Sequence, residues 1–305
     1  MPHGGAPGLA AAGVGTRAWA WAADVVMLSK PRITGMVLLV TGFGFLMARQ
    51  HPLSWRLLAI TLLGTVLVGA GGNALNQYLE RDTDKLMRRT RDRPLPSGRM
   101  SARAVLAGGS GAAGAGIALL ALGAHPLAAG VALAVVFTYV LCYTPLKRKS
   151  GLNTLVGAVP GALPPVLGWA AAAGTLDQGA FALFLILFAW QLPHFLAIAT
   201  MYRDEYAAAS MPMLTVIDPD GGRTRRQMVL YATVLIPVSL YPAVVGMTGH
   251  FYFYSALVMG ILYLGTNLAM VAFPSRIAAR VALRASLIYL PLLFALMYFN
   301  EPSLR

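Results

Sequence analysis

Residues 57–79 read LLAITLLGTVLVGAGGNALNQYL and carry no charge, and residues 80–99 follow at once as ERDTDKLMRRTRDRPLPSGR. A bilayer span needs about 20 apolar residues, so the first stretch reads as a membrane helix. At its foot Asn76, Glu80 and Asp84 stand four residues apart, which on a helix sets them on one face within an arc of about 80°. Carboxylates at the edge of a hydrocarbon layer are costly and mark an ion, a proton path or a polar substrate. A file of oxygen ligands running into arginines suits Mg²⁺ holding a diphosphate. Eight residues of helix cover about 12 Å, too far for one ion to touch all three. Two Mg²⁺ ions, or one ion plus hydrogen bonds to substrate oxygens, fit the length. Asp82 falls about 240° round from Asn76, on the solvated side.

Similar uncharged runs recur at 33–48, 104–146, 150–176, 178–202, 227–275 and 285–300. The runs 104–146 and 227–275 are each long enough for two spans, broken at Gly123-Ala124-His125-Pro126 and near Gly246–His250 by residues that favour turns. The expectation is an all-α integral membrane protein of nine transmembrane helices around a central cavity. With 57% hydrophobic and 11% charged residues, the chain lies far from the roughly 25% charged composition of soluble domains. Residues 1–25 read as a flexible cytoplasmic tail, 26–300 as a single transmembrane domain, and 301–305 as a short external tail.

The net charge of +13 would point to nucleic acid in a soluble protein, but its distribution excludes that partner. If loops alternate sides, twenty-one of the 24 Lys and Arg fall on one side and only Arg49, Arg56 and Arg305 on the other. Basic loops stay in the cytoplasm, so the N-terminus is expected there, in a bacterial inner membrane, with membrane lipid around the bundle. Cys142 is the one cysteine, which rules out an intrachain disulfide and a Cys-based metal cluster. The glycine-rich stretch Gly108–Gly116 contains no G-x-x-x-x-G-K-[ST] pattern and reads as close helix packing, not a nucleotide loop.

A second acidic cluster, Asp204 and Glu205, follows the sixth predicted helix as Glu80 and Asp84 follow the second. A period of four helices suggests two related bundles whose polar clusters converge on one site. Among the basic residues, Arg88, Lys147 and Arg148 are the candidates to grip phosphate oxygens, set against a role in topology and lipid headgroup contact. His194 lies deep in an uncharged run, after Pro193. Polar groups inside a bilayer tend to face a cavity, so it is a candidate acid/base, hydrogen-bond donor or ligand to a metalloporphyrin. His51, His125 and His250 fall in outer loops and receive no role.

The segments KPRIT (Lys30–Thr34), NALNQYLERDTD (Asn73–Asp84), RPLPSG (Arg93–Gly98), YTPLKR (Tyr143–Arg148), WQLPHF (Trp190–Phe195) and YRDEY (Tyr202–Tyr206) together resemble the UbiA-type intramembrane prenyltransferases. They are most similar to the branch that farnesylates haem, and the likeness runs in order from about Lys30 to residue 300. Phe195 and Tyr202 stand where quinone-type members tend to carry Asp. The resemblance implies farnesyl diphosphate and haem b as substrates and Mg²⁺ as cofactor. Asn76, Glu80, Asp84, Asp204 and Glu205 would hold the metal. Arg88, Lys147, Arg148 and Arg32 would hold the diphosphate, and His194 would join Asn76, Glu80 and Asp84 in catalysis. It also implies contact with a downstream haem-modifying enzyme or terminal oxidase assembly. Prenylation of a quinone precursor or chlorophyllide remains the alternative within enzymes, and an ion-coupled transporter the alternative outside them.

Overall fold

A computed structural model describes residues 14–48 and 52–300; the expected tail at 301–305 and the first part of the expected N-terminal tail lie outside the described residues. The described residues form helices joined by turns, with no strand among them. In chain order they are α1 (Val14–Leu28), α2 (Pro31–Met47), α3 (Trp55–Asp84), α4 (Ala102–Gly123) and α5 (Pro126–Val136). A π-helical segment (Phe137–Tyr143) and α6 (Thr144–Leu146) continue α5. Then come α7 (Asn153–Ala173), α8 (Gln178–Met201), α9 (Arg203–Ala208), α10 (Leu214–Ile217), α11 (Gly222–Val244), α12 (His250–Ala272) and α13 (Arg276–Phe299).

Eight helices among the described residues are long and apolar enough to cross a membrane, and a ninth span arises if α1 and α2, bent by 52°, count as one. Both expected breaks fall where the sequence sets them: α4 ends at Gly123 and α11 at Val244. The loose tail expected to residue 25 gives way to helix from Val14. Its exposed Trp19 and Trp21, 80% and 62% accessible, are the residues of an interfacial helix. Asp24 pins it to the loop before α4 through Arg99 Nε at 3.0 Å.

Small residues set how closely the spans approach. Within Gly108–Gly116, Gly109, Ala113 and Gly116 are buried and meet Gly64, Val68, Gly71 and Ala74 of α3. The alternate residues Gly108, Gly111 and Gly114 face open space. α2 and α7 cross as tightly, with Gly44 against the Pro165 backbone and Gly168 against Thr41. On the side where α2 and α13 end, Phe43 and Phe294 stack at 4.0 Å. This packing fixes α3, the π segment and α8 around one interior whose polar end is the end of α3.

Candidate active site

Asn76, Glu80 and Asp84 are 0%, 4% and 0% accessible. The file expected from four-residue spacing therefore faces the interior, while Asp82 is exposed. Each member is met by a cation. Lys30 Nζ donates to Asn76 Oδ1 at 2.8 Å, Lys147 Nζ lies 2.9 Å from Glu80 Oε1, and Arg93 Nη1 donates to Asp84 Oδ2 at 2.6 Å.

Local backbone chemistry aims these cations. Lys30 occupies the break between α1 and α2 at φ 50°, a left-handed conformation that costs a non-glycine residue about 1–2 kcal/mol. Two amides of α3 hold the break: Gln77 donates to Leu28 O at 2.8 Å and Asn73 to Ser29 O at 3.0 Å. Arg93 turns inward because the loop after α3 folds back on itself, the Thr90 hydroxyl donating to Asp84 O at 2.9 Å. Lys147 follows the π segment, whose wider turn lets the Thr144 hydroxyl donate to Tyr139 O at 2.8 Å. Thr144 in turn accepts from Asn76 Nδ2 at 3.0 Å, which leaves Asn76 Oδ1 for the site. Tyr139 donates to Asn73 Oδ1 at 3.3 Å, and the Tyr143 ring lies 4.8 Å from Lys147 Nζ. Burial works against the charge on Lys147, but Tyr143 and Glu80 outweigh it and hold the ammonium above the ordinary lysine range.

The donor set suits a hard cation. Asp84 Oδ1 is buried with no hydrogen-bond partner, and Glu80 Oε1 meets Lys147 outside hydrogen-bonding geometry. A buried carboxylate oxygen left unpaired costs about 1–3 kcal/mol or more, and a metal ion would relieve it. Asn76, Glu80 and Asp84 are thus the residues of this chain that fit Mg²⁺.

The other expected residues sit elsewhere. Asp204 pairs with Arg276 on an exposed surface. No three of His, Cys, Asp and Glu gather closely enough to hold an ion among the described residues, so Asp204 and Glu205 do not complete the file from across the site. The loops nonetheless meet: Met87 packs with Ala199, Ala209, Met211 and Met213, and Arg89 lies 5.4 Å from the Tyr202 ring centroid. Arg32, Arg88 and Arg148 are exposed, with Arg148 bonded to Leu79 O. Inside, Lys30 and Arg93 take the places expected of Arg32 and Arg88. His194 is half-buried on α8, its Nδ1 2.7 Å from Ser286 Oγ. Beside the site, a pocket of about 70 Å³ lies between Tyr143, Gly157, Phe195, Ile198, Tyr206 and Met213. That is room for about two waters.

The model of the UbiA prenyltransferase family matches residues 37–290. A protein of Solibacter usitatus named protoheme IX farnesyltransferase is 44% identical over 291 residues, covering 92% of this chain and 99% of its own. One of Myxococcus xanthus with the same name is 42% identical over 277 residues, covering 90% and 93%. Among solved structures, a digeranylgeranylglyceryl phosphate synthase superposes with a TM-score of 0.78 at 14% identity, over 91% of this chain and 97% of its own. A UbiA homologue from Archaeoglobus fulgidus bound to GPP and Mg²⁺ gives 0.62 at 15% identity, over 90% and 99%. At such identities these likenesses carry the fold.

Proposed function

The chain belongs to the UbiA prenyltransferase family, and from that premise we infer that it transfers the farnesyl group of farnesyl diphosphate to a vinyl group of haem b, giving haem O. The supporting observation is the buried file Asn76, Glu80 and Asp84, each faced by a cation, at the polar end of an apolar bundle. In the reaction the allylic C–O bond breaks and diphosphate leaves with its electron pair. The terminal vinyl carbon bonds to farnesyl C1, water adds to the inner carbon, and one proton is released. Asn76, Glu80 and Asp84 would hold Mg²⁺, which when bound would supply positive charge to the leaving diphosphate. Lys30, Lys147 and Arg93, freed from the acids, donate to the phosphate oxygens as charge develops there. Tyr139 and Tyr143 border the apolar side of this cluster, where ring faces stabilise an allylic cation and keep water from it.

The strong bias of Lys and Arg to one side supports a site and an N-terminus that face the cytoplasm, in a bacterial inner membrane. Residues 26–300 act as one domain. A haem bearing a C15 chain stays in the bilayer, so a downstream haem-modifying enzyme or terminal oxidase assembly receives it there. Incubating purified protein with haem b, farnesyl diphosphate and Mg²⁺, followed by mass analysis of the haem, tests this function. Haem O and pyrophosphate in equal amounts are expected. Pyrophosphate release only with a quinone precursor or chlorophyllide would move the chain to another acceptor, and none with any acceptor would remove the transferase reading.

A further inference from the structure

Ser286 of α13 anchors the His194 ring through Nδ1. The serine hydroxyl is in reach of Leu283 O at 2.6 Å and of His194 Nδ1 at 2.7 Å; with its one proton on the carbonyl, it accepts from Nδ1. In that arrangement Nδ1 carries the proton, and Nε2 presents a lone pair. No described residue takes up Nε2. The ring is also held in orientation: Trp190 stacks on it at 4.9 Å and 25°, with its own indole N–H on Ser286 O at 2.8 Å. Phe195 closes one edge at 5.6 Å. A neutral imidazole whose far N–H is anchored, with the other nitrogen open, is the arrangement of a metal-ligating histidine.

Depth agrees with that role. His194 lies seven residues before the end of α8 at Met201, about 10 Å along the axis. Asn76 lies eight residues before the end of α3 at Asp84, about 12 Å. Both helices end on the same side, so the ring stands level with the inner end of the metal file, where the farnesyl C1 must lie. A general base at this position would become an imidazolium needing acceptors on both nitrogens, and no carboxylate hydrogen-bonds the ring among the described residues.

Building on the haem-farnesylating reading, we propose that His194 Nε2 is an axial ligand to the iron of the haem substrate and that Ser286 is its positioning residue. Iron ligation by His194 sets the porphyrin plane, so that one vinyl group is presented to farnesyl C1. Resonance Raman spectra of ferrous haem b bound to the full-length protein test this. The wild type should show an iron–histidine stretch that His194→Ala removes and that added imidazole restores in His194→Gly. Ser286→Ala should keep the band but shift its frequency and weaken haem binding by up to about tenfold. Binding of Mg²⁺ with inorganic pyrophosphate, measured by calorimetry, should stay as in the wild type in His194→Ala, which checks that the variant is folded. An unchanged band in His194→Ala would overturn the assignment, even if the wild type makes haem O. A band lost in His194→Ala from a protein that makes no haem O would uphold the ligand and remove the reaction.

Discussion

Replacing Lys147 with Met should move two binding constants in opposite directions. In the unliganded site the Lys147 ammonium lies 2.9 Å from Glu80 Oε1, and the side chains are 20% and 5% accessible. Unit charges at that distance attract by about 6 kcal/mol at an effective dielectric of about 20. Desolvation of both groups leaves a net of about 1.5–3 kcal/mol, the range for polar contacts that involve a charged group. Mg²⁺ arriving alone must displace that ammonium, whereas Mg²⁺ arriving with diphosphate gives it a new partner. Lys147→Met should therefore bind Mg²⁺ alone about 10–150-fold more tightly and Mg²⁺ with inorganic pyrophosphate weaker by a similar factor. Lys147→Arg should keep the wild-type order. Isothermal titration calorimetry in detergent, with and without pyrophosphate, reads both constants. Equal or weaker binding of Mg²⁺ alone in a variant with native circular dichroism would refute the view that the cations hold the place of the metal.

Asp84→Asn should lower transfer by at least about a thousandfold, because charge stabilisation at the leaving group is lost; circular dichroism should show an intact bundle, and near-wild-type turnover would count against the metal file. With Lys30 protonated beside a bound diphosphate, Glu80, Asp84, Lys30, Lys147 and Arg93 give the cluster a charge of +1. One Mg²⁺ with a trianionic diphosphate brings that to zero, so calorimetry should give one ion per diphosphate. Helix packing predicts a contrast between glycines. Gly168→Ala places a methyl group against Thr41 O and should cost about 1–3 kcal/mol or more, whereas Gly111→Ala meets nothing within 4 Å and should leave the melting temperature unchanged. Lys147 is held above the ordinary lysine range. Its contribution is therefore complete below about pH 10 and lost only as pH rises through the higher folded value. Melting temperature should not fall on this account between pH 7 and 9.

The buried file of Asn76, Glu80 and Asp84 was readable because two regularities coincide in α3, an uncharged stretch long enough to span and an oxygen-bearing side chain at each fourth residue. The glycines of α4 were readable for the same reason, since their spacing follows the helical period. The basic half of the site follows no period. Arg88, Arg148 and Arg32 lie beside the motifs in sequence yet face outward, while Lys30 and Arg93 face in. Lys30 is aimed by a left-handed residue at a helix break, and that break is held by Asn73 and Gln77 from another helix. Arg93 is aimed by a loop closed through Thr90. Tyr139, Tyr143 and Thr144 depend on a π segment that shifts the register of their helix. Pro145, just after it and lacking the N–H an α-helix would use, was the available signal. The helical start at Val14 was missed because Gly and Ala in that region mask an interfacial helix carrying Trp19 and Trp21.

The central claim is that Asn76, Glu80 and Asp84 hold a metal-bound diphosphate inside the bundle. Electron paramagnetic resonance of the purified protein with Mn²⁺ in place of Mg²⁺, together with inorganic pyrophosphate, addresses it directly. The expected spectrum is that of immobilised Mn²⁺ with phosphorus coupling, present in the wild type and absent from Asp84→Asn. The same immobilised signal in Asp84→Asn, or none in the wild type, would contradict the account.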